Sequence, residues 1–243
     1  YMVFTAKHHE GFAMYPTDYD DFSLNGRTGT KRDILQELTT SLRNYDIVPC
    51  VYYSQGIDFH EKNAMGNTWD FKTPEDERDF DSYFRGKCKH QLSELLTRYG
   101  DIGMVWFDVP WGMTEARAKE LRQLVKGLQP DCLINGRLGG AAEDSDFLCM
   151  GDNEAPYGRV AVCAETCATT NDSWGYKRCD KNFKTPQTVI ELLCAVCSKG
   201  ANLLLNIGPK PDGSLPQEAM QLAEALGDWM QQNIEAVYDT QAS

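Results

Sequence analysis

Two carboxylates in the sequence each follow a short apolar run, and such a pair could cleave a glycosidic bond. Asp108 lies between Trp106 and Trp111, and Thr114 offers a better helix cap, which favours a functional carboxylate. Glycosidic cleavage needs an acid that protonates the leaving oxygen and a carboxylate that meets the oxocarbenium-like carbon. Glu154 is the second candidate, although a surface-loop role for it stays open at this point.

The Lys-His-His-Glu run at residues 7–10 raises the question of a metal site. Adjacent strand residues point to opposite faces, so His8 and His9 could ligate one ion only if the strand has ended. The chain has two other histidines, His60 and His90, in polar or helical surroundings, which supports a three-histidine zinc site poorly. We therefore predict neutral, hydrogen-bonding imidazoles, with no metal and no organic cofactor.

Several other side chains suit a hydroxyl-rich ring with one apolar side, because they supply hydrogen-bond donors and flat faces. They are Tyr52, Arg137, Trp106, Trp111 and Trp174. Each of them, taken singly, could equally be a packing residue.

The elements that must position these residues alternate between strands and helices. Apolar runs of strand length lie at 2–6, 47–54, 102–108, 132–137, 147–151, 160–166 and 202–208. Amphipathic helical patterns lie at 73–100, 114–128, 185–197 and 216–237. A doubly wound dinucleotide-binding sheet would show a GxGxxG turn after a strand, and the sequence has none. Polar residues at the ends of many strands instead predict an α/β fold of the TIM-like (β/α) barrel type.

Composition narrows the possible partners. The 243 residues carry 36 acidic and 24 basic side chains, and the net charge of −12 disfavours nucleic acid and anionic lipid surfaces. The longest apolar runs are strand-sized, so we predict no membrane span. Nine scattered cysteines predict reduced core thiols and favour a reducing compartment such as the cytoplasm, and Cys194 and Cys197 are predicted to pack in a helix. Oligomeric state stays open.

Six sequence segments, taken together in order, resemble the α-L-fucosidases of glycoside hydrolase family 29, over residues 1 to about 238. The segments begin at residues 5 (Thr-Ala-Lys-His-His-Glu-Gly-Phe), 51 (Val-Tyr-Tyr-Ser), 105 (Val-Trp-Phe-Asp), 134 (Ile-Asn-Gly-Arg), 165 (Glu-Thr-Cys, with Ser-Trp-Gly-Tyr at 173) and 202 (Asn-Leu-Leu-Leu-Asn-Ile-Gly-Pro-Lys-Pro-Asp-Gly). Glu10 and Gly136 depart from the family's usual aspartates.

The resemblance implies a retaining exo-hydrolase that acts on fucosylated oligosaccharides or glycoconjugates without a cofactor. Asp108 matches the nucleophile that forms a covalent fucosyl-enzyme, and Glu154 matches the acid/base, with Glu165 as the second candidate for that role. A retaining mechanism requires carboxyl groups about 5–5.5 Å apart.

The resemblance also implies six contacts with the sugar. His8, His9, Tyr52 and Arg137 match ligands of the fucose hydroxyls, while Trp106 and Trp174 match aromatic residues along the ring and its C6 methyl group.

The family relationship implies that residues 1–243 form a single catalytic barrel domain that lacks its first strands. Residue 1 already lies in a predicted strand, so the sequence is expected to begin within the domain, and a signal peptide stays possible. No C-terminal β-sandwich domain is expected. Two alternatives remain: a sugar-binding remnant without turnover, and a metal-dependent barrel hydrolase built on His8 or His9 with Asp108 and Glu154.

Overall fold

The computed structural model describes residues 1–238 and 240, which form two compact units. Unit 1 is Tyr1–Asp146, and unit 2 contains the described residues from Phe147 onward. Each unit combines a sheet of parallel strands with α-helices, so the predicted α/β class is confirmed.

Unit 1 has a four-stranded parallel sheet whose strands pair in chain order. The strands are β1 (Met2–Lys7), β2 (Pro49–Tyr53), β3 (Met104–Phe107) and β4 (Leu133–Ile134). Tyr53 pairs with both Lys7 and Phe107, the last residues of the neighbouring strands. The residues that follow these three strands therefore emerge at one edge of the sheet, which is where the sequence predicted the polar groups to gather.

Five α-helices belong to unit 1: α1 (Leu24–Thr28), α2 (Ile34–Asn44), α3 (Phe80–Tyr83), α4 (Lys89–Arg98) and α5 (Glu115–Leu128). Thr114 caps α5 by accepting a hydrogen bond from the Arg117 N–H, as predicted. Helix α2 was not predicted, although Asp33 caps it and Leu35, Thr39 and Leu42 are buried along one side.

The predicted helix at 73–100 is wrong in its first part. A 3₁₀ turn at Glu75–Glu77 comes first, and Arg78 is extended. Its guanidinium is buried and donates to the carbonyl oxygens of Ala64 and Asn67 at 2.6 Å, and these tertiary hydrogen bonds outweigh the local helical pattern. Helix α3 then begins, and a π-helical segment at Phe84–Cys88 joins it to α4.

Unit 2 has a three-stranded parallel sheet in the order β5-β6-β7. Its strands are β5 (Leu148–Cys149), β6 (Ala164–Thr169) and β7 (Ala201–Asn206), and its helices are α6 (Pro186–Cys197) and α7 (Gln217–Asn233). Thr185 caps α6 and Pro186 takes its first turn, as predicted. Strand β6 begins four residues later than the predicted 160–166 run, because residues 160–163 form no strand.

Among the described residues, the seven strands are hydrogen-bonded in two sheets rather than in one closed ring. The barrel, its missing first strands and the single-domain assignment stay predictions. No helix in the described part of the chain is long and apolar enough to span a membrane.

The nine cysteines are free thiols. Core packing is confirmed for the four buried ones, Cys50, Cys88, Cys132 and Cys167. It is wrong for the exposed Cys163, Cys179 and Cys194, because most of the helix α6 residues remain accessible around Cys194.

Candidate active site

Asp108 directly follows β3 and is only 8% exposed. Its Oδ2 accepts a hydrogen bond from the Tyr52 hydroxyl at 2.7 Å, and its Oδ1 accepts one from Arg137 Nη1 at 2.9 Å. A buried carboxylate with a guanidinium partner and a hydroxyl donor is held in its charged form. The structure thus gives the apolar strand's terminal aspartate a fixed orientation at the sheet edge.

The backbone at Val109 is unusual, because this β-branched residue has φ +45°. Its N–H donates to Asp108 Oδ1 at 3.0 Å. A β-branched residue in the left-handed region costs conformational free energy, which the surrounding hydrogen bonds must offset. Such strain next to a buried carboxylate is typical of functional sites.

Tyr52 lies between two parallel rings. His8 stacks on it at a centroid distance of 5.1 Å, and Trp106 stacks on its other side at 5.5 Å. The Arg137 guanidinium lies 4.8 Å from the centroid of the Trp106 ring. Burial, reinforced by the Asp108 carboxylate, raises the pKa of the Tyr52 phenol above its usual value, so the hydroxyl remains a donor. Four of the predicted site residues are thus brought together around Asp108.

His9 is the fifth. Its Nε2 lies 3.6 Å from Asp108 Oδ2, and its Nδ1 lies 2.7 Å from Ser54 Oγ. Burial and then the neighbouring His8 lower the pKa of His9 to about 4, so the ring is neutral at neutral pH. The prediction of neutral imidazoles is supported for this residue.

Strand β1 ends at Lys7, so the condition under which both imidazoles can face one ion is met. His8, His9 and Asp108 each offer a ligand atom, and these atoms lie within 4.8 Å of one another. The Asp108 oxygens already accept from Tyr52 and Arg137, which compensates the carboxylate charge without a cation.

The turn that carries the two histidines is fixed from below by a buried ion cluster. Lys7 Nζ and Lys87 Nζ each lie 3.1 Å from Asp58 Oδ2, and all three side chains are fully buried. Gly11, at φ +86°, closes the turn with a hydrogen bond from its N–H to the His8 carbonyl oxygen, and a Cβ there would lie 2.0 Å from Asp58 Oδ1. This close approach requires glycine at residue 11.

Sequence reasoning missed two supporting amides. Gln55 Oε1 accepts from the Asp108 N–H at 3.0 Å, and its Nε2 donates to the Arg137 carbonyl oxygen at 2.9 Å. Asn135, noted only as a polar residue at a strand end, exchanges two hydrogen bonds with the backbone of Phe107 at 2.8 and 2.9 Å. Asn135 extends the β3–β4 pairing by one residue, and Gln55 couples Asp108 to Arg137; the only signal for Gln55 was its position after β2.

Glu154 lies in unit 2, in the loop after β5, and its side chain is exposed. Its N–H donates to the Gly151 carbonyl oxygen at 3.1 Å, and its carbonyl oxygen accepts from Thr166 Oγ1 at 3.0 Å. Asn153, with φ +59°, fixes the loop to the end of β6 by accepting from the Thr169 N–H at 3.0 Å. The loop is therefore held through its backbone, while the Glu154 carboxylate is left accessible.

The two other predicted residues of unit 2 lie in different surroundings. Glu165 is the second residue of β6 and is 2% exposed, so it is not at the strand end where the sequence reasoning placed it. Trp174 follows β6 in a loop and is 39% exposed. An accessible aromatic face of this kind can contact a sugar ring, whereas Glu165 lies inside the sheet.

A fixed carboxylate at the mouth of a parallel sheet, with neutral imidazoles and aromatic faces around it, places the chain in the class of glycoside hydrolases. A family model described as alpha-L-fucosidase matches residues 1–235, and the chain belongs to that family. The resemblance read from the sequence motifs is thereby confirmed.

Solved structures of relatives agree with this assignment. The chain superposes with a TM-score of 0.93 on the crystal structure of alpha-L-fucosidase from Vibrio sp. strain EJY3, at 40% identity, covering 100% of this chain and 43% of that one. It superposes with a TM-score of 0.88 on alpha-L-fucosidase AlfC from Lactobacillus casei in complex with alpha-L-fucose product, at 36% identity, covering 97% and 76%.

Among curated proteins, the plasma alpha-L-fucosidase of Homo sapiens is 29% identical over 252 residues, covering 99% of this chain and 52% of that protein. The tissue alpha-L-fucosidase of Rattus norvegicus is 28% identical over 250 residues, covering 98% and 52%. The chain thus spans about half the length of the curated relatives it matches.

Proposed function

We propose that the chain is the catalytic part of a retaining exo-α-L-fucosidase, which removes terminal α-L-fucosyl residues from glycans through a covalent fucosyl-enzyme. The observation that carries the proposal is the fixed, buried carboxylate of Asp108, with Tyr52 on one oxygen and Arg137 on the other. A nucleophile must be ionised and aimed at one carbon, and these donors provide both conditions.

In the first step, an Asp108 oxygen attacks the anomeric carbon as the bond from that carbon to the leaving oxygen breaks. Glu154 gives its proton to the leaving oxygen, so the departing alcohol is neutral. In the second step, Glu154 takes a proton from water, whose oxygen displaces Asp108 and restores the original configuration. The exposure of Glu154 supports this role, because the same carboxyl must exchange protons with the leaving group and with water. Glu165 remains the second candidate.

The remaining predicted residues bind the sugar in this proposal. His8, His9, Tyr52 and Arg137 are ligands for hydroxyl groups, while Trp106 and Trp174 contact the apolar parts of the ring. The cluster of the first five residues around Asp108 supports the assignment. Fucosylated oligosaccharides or glycoconjugates are the proposed substrates.

Structures of a relative support the substrate class. AlfC has been solved with alpha-L-fucose product, and AlfC variants have been solved with 4-nitrophenyl-α-L-fucopyranoside and with Fuca(1,6)GlcNAc. We propose a (β/α) barrel for the catalytic domain, supported by the parallel strands and by the level carboxyl ends of β1, β2 and β3.

The test is turnover of 4-nitrophenyl α-L-fucoside, with proton NMR of the first sugar released. The proposal predicts 4-nitrophenolate and α-L-fucose as the initial product, and β-L-fucose would contradict retention. Folded protein that releases nothing, yet gains thermal stability from fucose, would instead identify a sugar-binding remnant.

A second candidate, metal-dependent hydrolysis, is favoured by the grouping of His8, His9 and Asp108. It predicts that a chelator abolishes turnover and that added Zn²⁺ restores it. The fucosidase mechanism proposed here predicts unchanged turnover after chelation.

A further inference from the structure

The inference concerns the proton on the His9 ring, and it rests on the proposed function because the partner is a substrate hydroxyl. His9 Nδ1 and Ser54 Oγ lie 2.7 Å apart. Ser54 is fully buried, and its hydroxyl also lies 2.9 Å from the carbonyl oxygen of Ile57. The direction of these two hydrogen bonds decides which ring nitrogen of His9 carries the proton.

A serine hydroxyl has one proton to donate, whereas a carbonyl oxygen can only accept. Ser54 therefore donates to Ile57, and the bond to His9 requires that Nδ1–H donates to Ser54 Oγ. In a neutral imidazole the other nitrogen, Nε2, then has a lone pair and no proton.

The bare Nε2 lies 3.6 Å from Asp108 Oδ2, so two acceptors face each other without a proton between them. This distance is longer than a hydrogen bond. A hydroxyl group beside Asp108 could donate its proton to Nε2. If Nε2 carried the proton instead, it would be directed at Asp108 and would lower the nucleophilicity of that carboxylate.

We propose that Ser54 is a positioning residue that holds His9 with its proton on Nδ1, so that Nε2 accepts a hydrogen bond from a substrate hydroxyl next to Asp108. Specificity then follows from the sense of the bond, since this position recognises a donor. A substrate that lacks the hydroxyl leaves Nε2 without a partner in a buried site.

The charged and titratable groups that act on His9 are His8, Lys7, Glu10 and Asp108. Burial is the strongest of the influences that lower its pKa to about 4, followed by His8, while Asp108 opposes them. Above that pH the ring is neutral and Nε2 can accept. Below it both nitrogens carry protons, and the acceptor is lost.

The direct test is NMR of the ¹⁵N-labelled histidine rings at neutral pH, without substrate. The chain has four histidines, and the spectrum of His9→Gln identifies the His9 signals. The proposal predicts the Nδ1–H tautomer in the wild type and in Ser54→Thr, and the Nε2–H tautomer as the main form in Ser54→Ala. A wild-type His9 with its proton on Nε2 overturns the proposal, even if no variant folds.

Kinetics provide the second measurement. We expect Ser54→Ala to lower kcat/KM for 4-nitrophenyl α-L-fucoside about tenfold, with Ser54→Thr near wild type. Ser93→Ala is the matched control, because the Ser93 hydroxyl also donates to a backbone carbonyl, that of Lys89, away from the site.

Monodeoxy fucosides separate positioning from general damage. In the wild type, one deoxy substrate should lose about tenfold in kcat/KM, and in Ser54→Ala this difference should shrink to less than about twofold. An unchanged difference overturns the proposal. A wild type that cleaves no fucoside contradicts the proposed function, while the NMR result still decides the tautomer.

Discussion

Asp108 in unit 1 and Glu154 in unit 2 are the two carboxylates to which we assign chemistry, and their surroundings differ. Asp108 is buried and both of its oxygens accept hydrogen bonds from side chains. Glu154 is exposed, and its loop is fixed through backbone atoms. A nucleophile must be ionised and stationary, whereas an acid/base must give up and regain a proton. The difference between the two residues follows the difference in their proposed roles.

The interiors of the two units differ as well. In unit 1 the core includes Val51, Phe107, Leu92 and Val125 from strands and helices, and it surrounds the buried Asp58 cluster. In unit 2 the buried cluster around the sheet consists of Ala164, Val196 and Ala201. Fixed chemistry therefore lies on the more extensively packed unit, which can hold an ionised group in place.

The largest expected effect is that of Asp108→Gly, because this change removes the nucleophile. We expect turnover of 4-nitrophenyl α-L-fucoside to fall about 10⁴-fold or more. The exposed Asp131→Gly serves as the control and should retain activity. Wild-type turnover by the Asp108 variant would remove the functional side of the comparison.

Glu154→Ala should have the next largest effect, a loss of about 10²–10⁴-fold in kcat. The loss should be larger for fucosides with poor leaving groups, since those need the proton most. A series of aryl fucosides of increasing leaving-group pKa measures this trend. If Glu165→Gln shows the trend and Glu154→Ala does not, the two glutamates exchange roles.

Asp58→Asn tests the packed side of the comparison. It leaves the Lys7 and Lys87 ammonium groups buried without their carboxylate, so we expect a loss of about 3–5 kcal/mol in the free energy of unfolding. Urea unfolding followed by circular dichroism measures it, with the exposed Asp76→Asn as control. Equal stability of the two variants would contradict a structural role for the cluster.

The same cluster predicts an acid dependence of stability. Burial acts to raise the pKa of Asp58, but Lys7 and Lys87 outweigh it, and the pKa is lowered. A carboxyl whose pKa is lower in the folded state stabilises fully above its unfolded value of about 3.9, and this contribution disappears as the pH falls through the folded value. Unfolding midpoints measured between about pH 5 and pH 2 should decline more steeply for the wild type than for Asp58→Asn.

The smallest expected effect compares the two units through identical helix caps. Thr114 caps α5 in unit 1 and Thr185 caps α6 in unit 2 by the same side-chain hydrogen bond. Thr114→Ala and Thr185→Ala should each cost about 1 kcal/mol, with most of the loss restored by serine. A large cost at one site and none at the other would mean that the units do not unfold as the local contacts suggest.

The parts of the fold that could be predicted from sequence depend on short-range patterns. The apolar run before Asp108 and the Thr-capped α5 and α6 follow from residues close together in the chain. The same signals were present for α2, with its Asp33 cap and buried Leu35, and its omission was an error of reading rather than of physics.

The features that could not be predicted depend on distant residues. Gln55 reaches Asp108 across 53 positions, and Lys7 reaches Asp58 across 51, and neither pairing leaves a local pattern. Arg78 interrupts a helical stretch because of carbonyl groups 11 and 14 residues away. The identities of the site residues were readable, whereas the hydrogen bonds that orient them required the fold.

The central claim, that Asp108 is the nucleophile of a retaining mechanism, is tested most directly by azide rescue of Asp108→Gly. With the carboxylate removed, azide can attack the anomeric carbon from the face that Asp108 occupied. The account predicts that azide restores cleavage of an activated aryl α-L-fucoside and that NMR identifies the product as β-L-fucosyl azide. Rescue that yields the α-azide, or an Asp108→Gly variant whose activity needs no rescue, would contradict it.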